Sequence, residues 1–144
     1  MDESRLIENL IYTYAERLDA GDLEGVAELL RHGEIASPTE GSVVAGYDAV
    51  LAMYRWATRI YEDTGTPATR HITTNVIIEV EGEHARSRSC FTVIQARPDF
   101  PLQPIVSGLY RDTFKKVGGR WCFARREIQV DLVGDLSAHL LTDL

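Results

Sequence analysis

The sequence predicts an α+β fold in which three N-terminal helices pack on a curved, mainly antiparallel sheet. Apolar residues recur at spacings of three and four up to about residue 62, which is the helical period. From residue 69 onward, four long runs alternate apolar and polar residues, and short turns join them. Consecutive strands joined by short turns pair antiparallel, and this order of helices and then strands is typical of an α+β domain. With 144 residues, 44% of them hydrophobic, the chain is long enough for one core, so residues 1–144 are interpreted as a single domain.

The helices are predicted from apolar stripes and their caps. The first is expected to run to about Asp19, and a glycine followed by a capping aspartate then starts a second helix over residues 22–33. A third stripe predicts a helix over residues 48–62. Between them, residues 34–45 contain short apolar pieces broken by turn residues, which indicates two small strands or a loose hairpin.

The strands are predicted over residues 69–80, 83–96, 104–116 and 120–131. In the first of these, period-two counting places His71, Thr73 and Asn75 on one face and mainly isoleucine and valine on the other. A histidine, a hydroxyl and an amide in a row are an unusual lining for a core and a plausible one for a cavity. This strand is therefore the first functional clue.

Composition excludes several classes of partner. The formal charge is -7 and the basic residues are scattered, so nucleic acid and acidic membranes are poor partners. There is no apolar run long enough to span a bilayer and no secretory leader pattern, and we expect a soluble, cytoplasmic protein. Cys90 and Cys122 match no metal or redox spacing and are interpreted as reduced, buried thiols. With no H-x-x-x-H pair and no glycine-rich phosphate loop, neither a metal nor another cofactor is expected.

Four segments in a fixed order carry a resemblance to a known family. They are YAERLDAGDLEGVAELL at residues 14–30, GYDAV at 46–50, RHITTN at 70–75, and GGRW at 118–121 leading into two arginines. In these segments the chain resembles the SnoaL-like family of the nuclear-transport-factor-2-like (NTF2-like) superfamily. The resemblance spans nearly the whole chain and implies a cone-shaped barrel, with three N-terminal helices on the concave face of a strongly curved sheet. Members include scytalone dehydratase, a dehydrochlorinase, polyketide cyclases, ketosteroid isomerase and dioxygenase β-subunits, so the fold alone does not fix the activity.

The resemblance implies a pair of catalytic residues. In the dehydratase and dehydrochlorinase members a histidine opening the central strand pairs with an aspartate ending the first helix, and His71 and Asp19 match these positions. A neutral imidazole can take a proton from carbon if its tautomer is fixed and the resulting imidazolium is stabilised, and a buried carboxylate does both. Two alternatives stay open. Asp19 lies off the apolar stripe of its helix and could be a solvated helix-end acid, and His71 could simply bond a neighbouring carbonyl.

A second catalytic histidine is not expected on the neighbouring strand. If Glu81 and Gly82 form the turn of a hairpin, Thr92 or Val93 lies opposite His71. This departs from scytalone dehydratase, which has a second histidine there, and argues against a two-histidine mechanism around a leaving hydroxyl. The other histidines rank as weaker candidates, and they are His32, His84 and His139 in the C-terminal tail.

Further polar side chains are candidates for the cavity wall. The predicted substrate-binding residues are Tyr14, Tyr54, Asn75, Tyr110 and Arg126, with Asp112 as an additional polar candidate. Asn75 would donate an amide proton to the substrate oxygen that gains charge, and Tyr110 could share this role. Tyr110 and Arg126 are expected to lie near one another across a hairpin. For Tyr14 and Tyr54, the alternative is packing in the helical core with the hydroxyl at its rim.

Three function classes follow. The first is a cofactor-independent lyase or isomerase, dehydratase-like or cyclase-like, acting on a mid-sized apolar, cyclic molecule. The second is a non-catalytic module that binds such an apolar or aromatic ligand, and the third is an accessory subunit. An Asp19–His71 contact in a closed cavity would favour the first, a His71 bonded only to backbone the second, and a filled cavity the third. A homodimer or a higher homo-oligomer is also expected, with the dimer favoured, because three helices cannot cover the outer faces of all the long strands.

Overall fold

The computed structural model describes residues 2–141, and within them three helices pack on one six-stranded sheet. The elements are α1 (Glu3–Asp19), α2 (Leu23–Leu29), β1 (Glu34–Ser37), β2 (Ser42–Ala45), α3 (Tyr47–Ala57), β3 (Thr69–Glu81), β4 (His84–Arg97), β5 (Phe100–Val117) and β6 (Arg120–Val133). The predicted α+β order and all four long strands are confirmed. The segment between α2 and α3 forms two small strands, as predicted, and these pair as the antiparallel hairpin β1–β2.

The sheet has the strand order β2-β1-β6-β5-β4-β3, and every pairing is antiparallel except that of β1 with β6. Register shifts interrupt the ladders of β3–β4, β4–β5 and β5–β6. Such bulges bend and twist strands, which is how 13- to 18-residue strands curve around a layer of helices. The sheet is curved and mainly antiparallel, as predicted, but it is not closed into a complete barrel.

An aspartate caps the first turn of α1 and of α2. Asp2 accepts a hydrogen bond from the backbone N of Ser4, and Asp22 accepts one from Gly25, both at 2.9 Å. Between the helices, Gly21 has φ +76°, the left-handed conformation expected of a glycine just past a helix end. Helix α1 ends at Asp19, as predicted, and this places the Asp19 carboxylate beside the start of β3.

Two helices are shorter than predicted. Helix α2 ends at Leu29 instead of near residue 33, and α3 ends at Ala57 instead of residue 62. After α3, Thr58 turns extended and forms a β-bridge with Leu140 in the C-terminal segment. The apolar spacing continues beyond Ala57, but pairing with a distant segment overrides it.

A bulge in β3 overturns the predicted face of Asn75. Period-two counting is broken between Thr74 and Ile77, where Asn75 adopts φ +56°. Beyond the bulge Ile78 packs against the core, whereas Asn75 and Ile77 are exposed. The prediction that Asn75 shares a face with His71 is therefore wrong, because one extra residue reverses the alternation.

The core lies between the helices and the concave face of the sheet. Its largest fully buried apolar residues are Phe114, Phe123, Ile7, Ile11, Leu30 and Ile105. The thiols of Cys90 and Cys122 are unpaired and half-buried, so they are more exposed than predicted. Among residues 2–141, no helix is long and apolar enough to cross a bilayer.

Candidate active site

An apolar cavity of about 320 Å³ lies between the helices and the concave face of the sheet, partly open to solvent. Helices α1 and α3, the β1–β2 hairpin and strands β3 to β6 all contribute to its wall, and its apolar lining includes Phe91, Val93, Val106, Ile128, Val130 and Met53. Residues after β6 cross one side of the cavity and add Leu136, His139 and Leu140. A concave, mainly apolar space with a few polar groups is the usual form of a small-molecule site.

His71 lies in the cavity wall and is held by Asp19. Its Nδ1 is 2.6 Å from Asp19 Oδ1, its backbone N donates to Asp19 Oδ2 at 2.7 Å, and Thr69 Oγ1 donates to Oδ1 at 2.9 Å. The two side chains are only 7% and 11% exposed. The predicted proximity of Asp19 and His71 is confirmed, and the solvated alternative for Asp19 is wrong.

The hydrogen bonds around Asp19 define which nitrogen of His71 is available. An ionised carboxylate accepts hydrogen bonds only, so His71 Nδ1 carries the proton between them. In the neutral imidazole the lone pair then lies on Nε2, on the opposite edge of the ring. The arrangement supplies a proton acceptor at the cavity wall, with a carboxylate behind it to stabilise the charge that it gains.

His139 is a cavity residue that the sequence reasoning ranked too low. It is 7% exposed and its ring centroid lies 6.4 Å from that of His71, in an edge-to-face arrangement. Burial, and to a smaller extent the proximity of His71, lower the pKa of His139 to about 4 against the opposing effect of Asp19. No periodic pattern identifies this residue. The one available signal is that two leucines directly follow this histidine.

The predicted register around His71 is confirmed, since Val93 is its partner on β4. That strand carries no histidine opposite His71, as expected. The second imidazole instead reaches the cavity from the C-terminal segment, which the hairpin argument did not consider.

Three of the predicted tyrosines meet in the cavity wall. Tyr14 and Tyr54 share a hydrogen bond between their hydroxyls, and Tyr110 stacks on Phe91 with ring centroids 4.5 Å apart. Burial raises the pKa of each tyrosine, most strongly for Tyr54 and Tyr110. Their hydroxyls therefore stay neutral near pH 7 and are available as hydrogen-bond donors.

Arg126 and Asp112 lie behind this wall, outside the cavity lining. Arg126 is 0% exposed, and its Nε and Nη2 each donate to Asp112 at 2.9 Å. Its guanidinium lies 3.7 Å from the Tyr110 ring centroid, so the predicted proximity of these two residues is confirmed. Burial alone would lower the pKa of Arg126, but the charge of Asp112 and its hydrogen bonds raise it. Arg126 does not line the cavity, where it was predicted to bind substrate, because its guanidinium is buried against Asp112 and the aromatic rings, with Nη1 left unbonded among the described residues.

Asn75 also lies away from the cavity. It is exposed, and its side-chain amide is 3.7 Å from Cys90 Sγ on the neighbouring strand. In the part of the chain from residue 2 to residue 141, no three His, Cys, Asp or Glu side chains come close enough together to hold a metal ion.

The chain is similar to known proteins in family and in fold. A family model described as a SnoaL-like domain matches residues 1–127. No curated protein matches the chain. Among solved structures, a candidate scytalone dehydratase from Novosphingobium aromaticivorans is 29% identical, with a TM-score of 0.72, over 92% of this chain and 87% of that one.

Two further structures are similar. Rv3472, a protein of unknown function from Mycobacterium tuberculosis, is 28% identical with a TM-score of 0.73, over 91% of this chain and 73% of that one. An NTF2-like protein with a cystatin-like fold from Novosphingobium aromaticivorans is 24% identical with a TM-score of 0.76, over 94% of this chain and 86% of that one. At this level of identity, the last similarity concerns the fold alone.

Proposed function

We propose that this chain, which belongs to the SnoaL-like domain family, is a cofactor-independent lyase or isomerase of the dehydratase or cyclase type. His71 would act as the general base and Asp19 as its orienting partner. The similarity to a candidate scytalone dehydratase supports this class of reaction. The single observation that carries the proposal is the 2.6 Å contact between Asp19 and His71 in the wall of an apolar cavity.

The proposed step transfers a proton from a substrate carbon to His71 Nε2. Asp19 holds Nδ1–H and thereby keeps the Nε2 lone pair directed away from itself. As His71 gains positive charge, the adjacent carboxylate stabilises it, and Thr69 together with the His71 backbone N keeps the carboxylate in place. General-base catalysis of this kind contributes about two to four orders of magnitude in rate.

The proposed substrate is a mid-sized, apolar and cyclic molecule. The cavity volume of about 320 Å³ and its aromatic and aliphatic walls fit one to three fused rings better than a flexible polar chain. Tyr14, Tyr54 and Tyr110 would orient it by packing and through their hydroxyls. A compound of this shape with an acidic C–H next to a carbonyl is the natural probe.

Exchange of α-hydrogens of 2-tetralone in D₂O, followed by NMR, tests the proposal. This bicyclic ketone needs only a base to form its enolate, so exchange reports proton abstraction without a leaving group. We expect catalysed exchange by the wild type and a loss of about 10²- to 10⁴-fold in His71→Ala. His84→Ala, at the exposed first residue of β4, is the matched control and should retain full activity. Equal exchange in wild type and His71→Ala would refute the general-base role.

Ligand binding without turnover is the second candidate function. It is favoured by the mainly apolar lining of the cavity, which needs no chemistry to hold a ligand. Mass spectrometry of small molecules that co-purify with the protein would identify the ligand class. Tight binding of such a molecule with no His71-dependent exchange would select this function over the first, and an accessory-subunit role would predict neither.

A homodimer built through the outer face of the sheet is also proposed. The helices cover the concave face, whereas Ile72 and Ile77 are 40% and 47% exposed on the opposite side of β3. Sedimentation at micromolar concentration should give twice the monomer mass, and a monomer at every concentration would exclude this arrangement. A cytoplasmic location is proposed from the sequence, and cell fractionation would test it.

A further inference from the structure

The backbone around His139 is fixed across the cavity by hydrogen bonds from two sides. The Gln95 side chain donates to the Ala138 carbonyl at 3.0 Å, and the Arg59 backbone N donates to the His139 carbonyl at 2.9 Å. Two residues later, the Leu141 backbone N donates to the carbonyl of Ala57, at the end of α3, at 2.8 Å. The segment that carries His139 is thus tied to the end of α3, to the residue two positions beyond it and to β4.

The ring of His139 is buried in the cavity wall without a hydrogen-bond partner. Only 7% of the residue is exposed. Within residues 2–141 neither ring nitrogen makes a hydrogen bond, and Nδ1 is fully shielded from solvent. A neutral imidazole always carries one donor and one acceptor. Buried polar groups in native proteins are nearly always satisfied, so an unpartnered one in a ligand cavity calls for an explanation.

The position relative to His71 supplies that explanation. The two rings meet edge to face with their centroids 6.4 Å apart, and both line the cavity, so one ligand can contact both. His71 is oriented by Asp19 and presents a lone pair. The Nδ1 atom of His139 is shielded, so a ligand reaches this ring at Nε2, and among residues 2–141 no protein acceptor bonds an N–H there. An oxygen on the substrate would satisfy this donor.

We propose that His139 is a further catalytic residue, which donates a ring N–H hydrogen bond to the substrate oxygen conjugated with the carbon that His71 deprotonates. This inference rests on the proposed function. It assigns the ligand class more narrowly, as cyclic ketones and the phenols that resemble their enols.

The charges in this step balance within the two histidines and the substrate. The C–H bond breaks and its proton moves to His71 Nε2. The electron pair of that bond forms the new C=C bond, and the π pair of the carbonyl group moves to its oxygen. His139 donates a hydrogen bond to the resulting oxyanion and transfers no proton. Burial keeps the pKa of His139 near 4, so its ring stays neutral and does not oppose the positive charge that forms on His71.

Binding of two matched aromatic probes tests the role of His139. 2-Naphthol has the shape of the 2-tetralone enol and carries its oxygen, and naphthalene has the same rings without the oxygen. We expect the wild type to prefer 2-naphthol over naphthalene and His139→Phe to reduce this preference about tenfold, the usual worth of one hydrogen bond. Naphthalene binding should stay unchanged, which also shows that the cavity is intact. His84→Phe is the matched control at an exposed histidine.

A second variant and a wild-type measurement cover the case in which His139→Phe does not fold. His139→Gln keeps a side-chain N–H and should retain most of the preference. In the wild type, ¹⁵N NMR should show that 2-naphthol shifts the ring nitrogens of His139 and that naphthalene does not. An unchanged preference in His139→Phe, an equal loss for both probes, or equal ¹⁵N shifts with both would overturn the inference.

The exchange assay separates this inference from the proposed function. One outcome is that exchange of 2-tetralone depends on His71 while His139→Phe shows no selective loss of affinity for 2-naphthol. This outcome supports the general-base role of His71 and refutes the role of His139. The other outcome is that His139→Phe selectively loses affinity for 2-naphthol while the wild type catalyses no exchange. In that case His139 is a ligand-binding residue, and the proposed catalytic step is refuted.

Discussion

This molecule has two buried pairs of a carboxylate with a basic side chain, and they differ in whether the basic side chain keeps an unbonded nitrogen at the cavity. Asp112 and Arg126 form a two-point pair behind the cavity wall, with aromatic rings covering the guanidinium. Asp19 and His71 form a pair in the wall itself and leave His71 Nε2 free of the carboxylate. The comparison shows that burial and pairing alone do not mark a functional site. The distinguishing feature is a polar atom left available to the cavity.

The largest expected effect on stability comes from breaking the Arg126 pair. Arg126→Ala leaves the Asp112 carboxylate buried without its partner, and we expect the free energy of unfolding to fall by about 3–5 kcal/mol in urea titrations. The double variant Arg126→Met/Asp112→Leu replaces both charges by apolar groups and should recover most of this loss. A double variant as unstable as Arg126→Ala would show that the pair is needed for more than charge compensation.

The neutral His139 next to the second pair predicts a stability that depends on pH. Its pKa of about 4 in the folded state lies below the 6.5 of a free histidine, so the unfolded chain takes up the proton first. The resulting stabilisation is fully present above pH 6.5 and is lost as the pH falls towards 4, by about 3 kcal/mol in all. His71 and Asp19 are the titratable groups facing the ring.

His139→Gln is the variant for that measurement. Carboxylates elsewhere also titrate below pH 6.5, so the quantity to measure is the difference between wild type and variant in unfolding free energy at each pH. We expect the variant to lose less stability on acidification. Parallel curves for the two proteins would contradict a buried, neutral His139.

Asp19→Asn is expected to slow exchange of 2-tetralone by about 10²-fold. An amide can place its NH₂ towards His71, which favours the tautomer with the proton on Nε2 and removes the base. It also no longer stabilises the imidazolium. Circular dichroism should show a folded protein, and an exchange rate equal to that of the wild type would mean that Asp19 only positions the strand.

The smallest expected effect is that of Tyr54→Phe. This change removes the hydroxyl that bonds Tyr14, and we expect a loss of about 1 kcal/mol in the free energy of unfolding, the usual value for one hydrogen bond. Exchange should change by no more than a few-fold, because neither hydroxyl takes the proton. A loss of exchange comparable to that of His71→Ala would move the tyrosine pair into the proton-transfer step.

The sequence predicted the parts of this site that depend on local patterns. The end of α1 at Asp19 follows from the glycine and capping aspartate after it, and the partner of His71 on β4 follows from the turn at Gly82. The predicted face of Asn75 was wrong because a bulge adds one residue to the strand there. The alternation of residues before the bulge does not indicate where it occurs.

The contribution of the C-terminal segment could not be predicted from local patterns. The early end of α3 and the burial of His139 both result from pairing between Thr58 and Leu140, residues far apart in sequence. Arg126 was correctly expected near Tyr110, but its two-point bond to Asp112 depends on the exact side-chain rotamers on two neighbouring strands.

The most direct test of the account is the protonation state of the His71 ring in the wild-type protein. Long-range ¹H–¹⁵N NMR in alkaline buffer, where neutral imidazoles dominate, distinguishes a protonated from an unprotonated ring nitrogen. We predict a proton on Nδ1, bonded to Asp19, and none on Nε2, with both nitrogens becoming protonated on acidification. A proton on Nε2 in the neutral ring would leave the cavity without a base and would contradict the proposed mechanism.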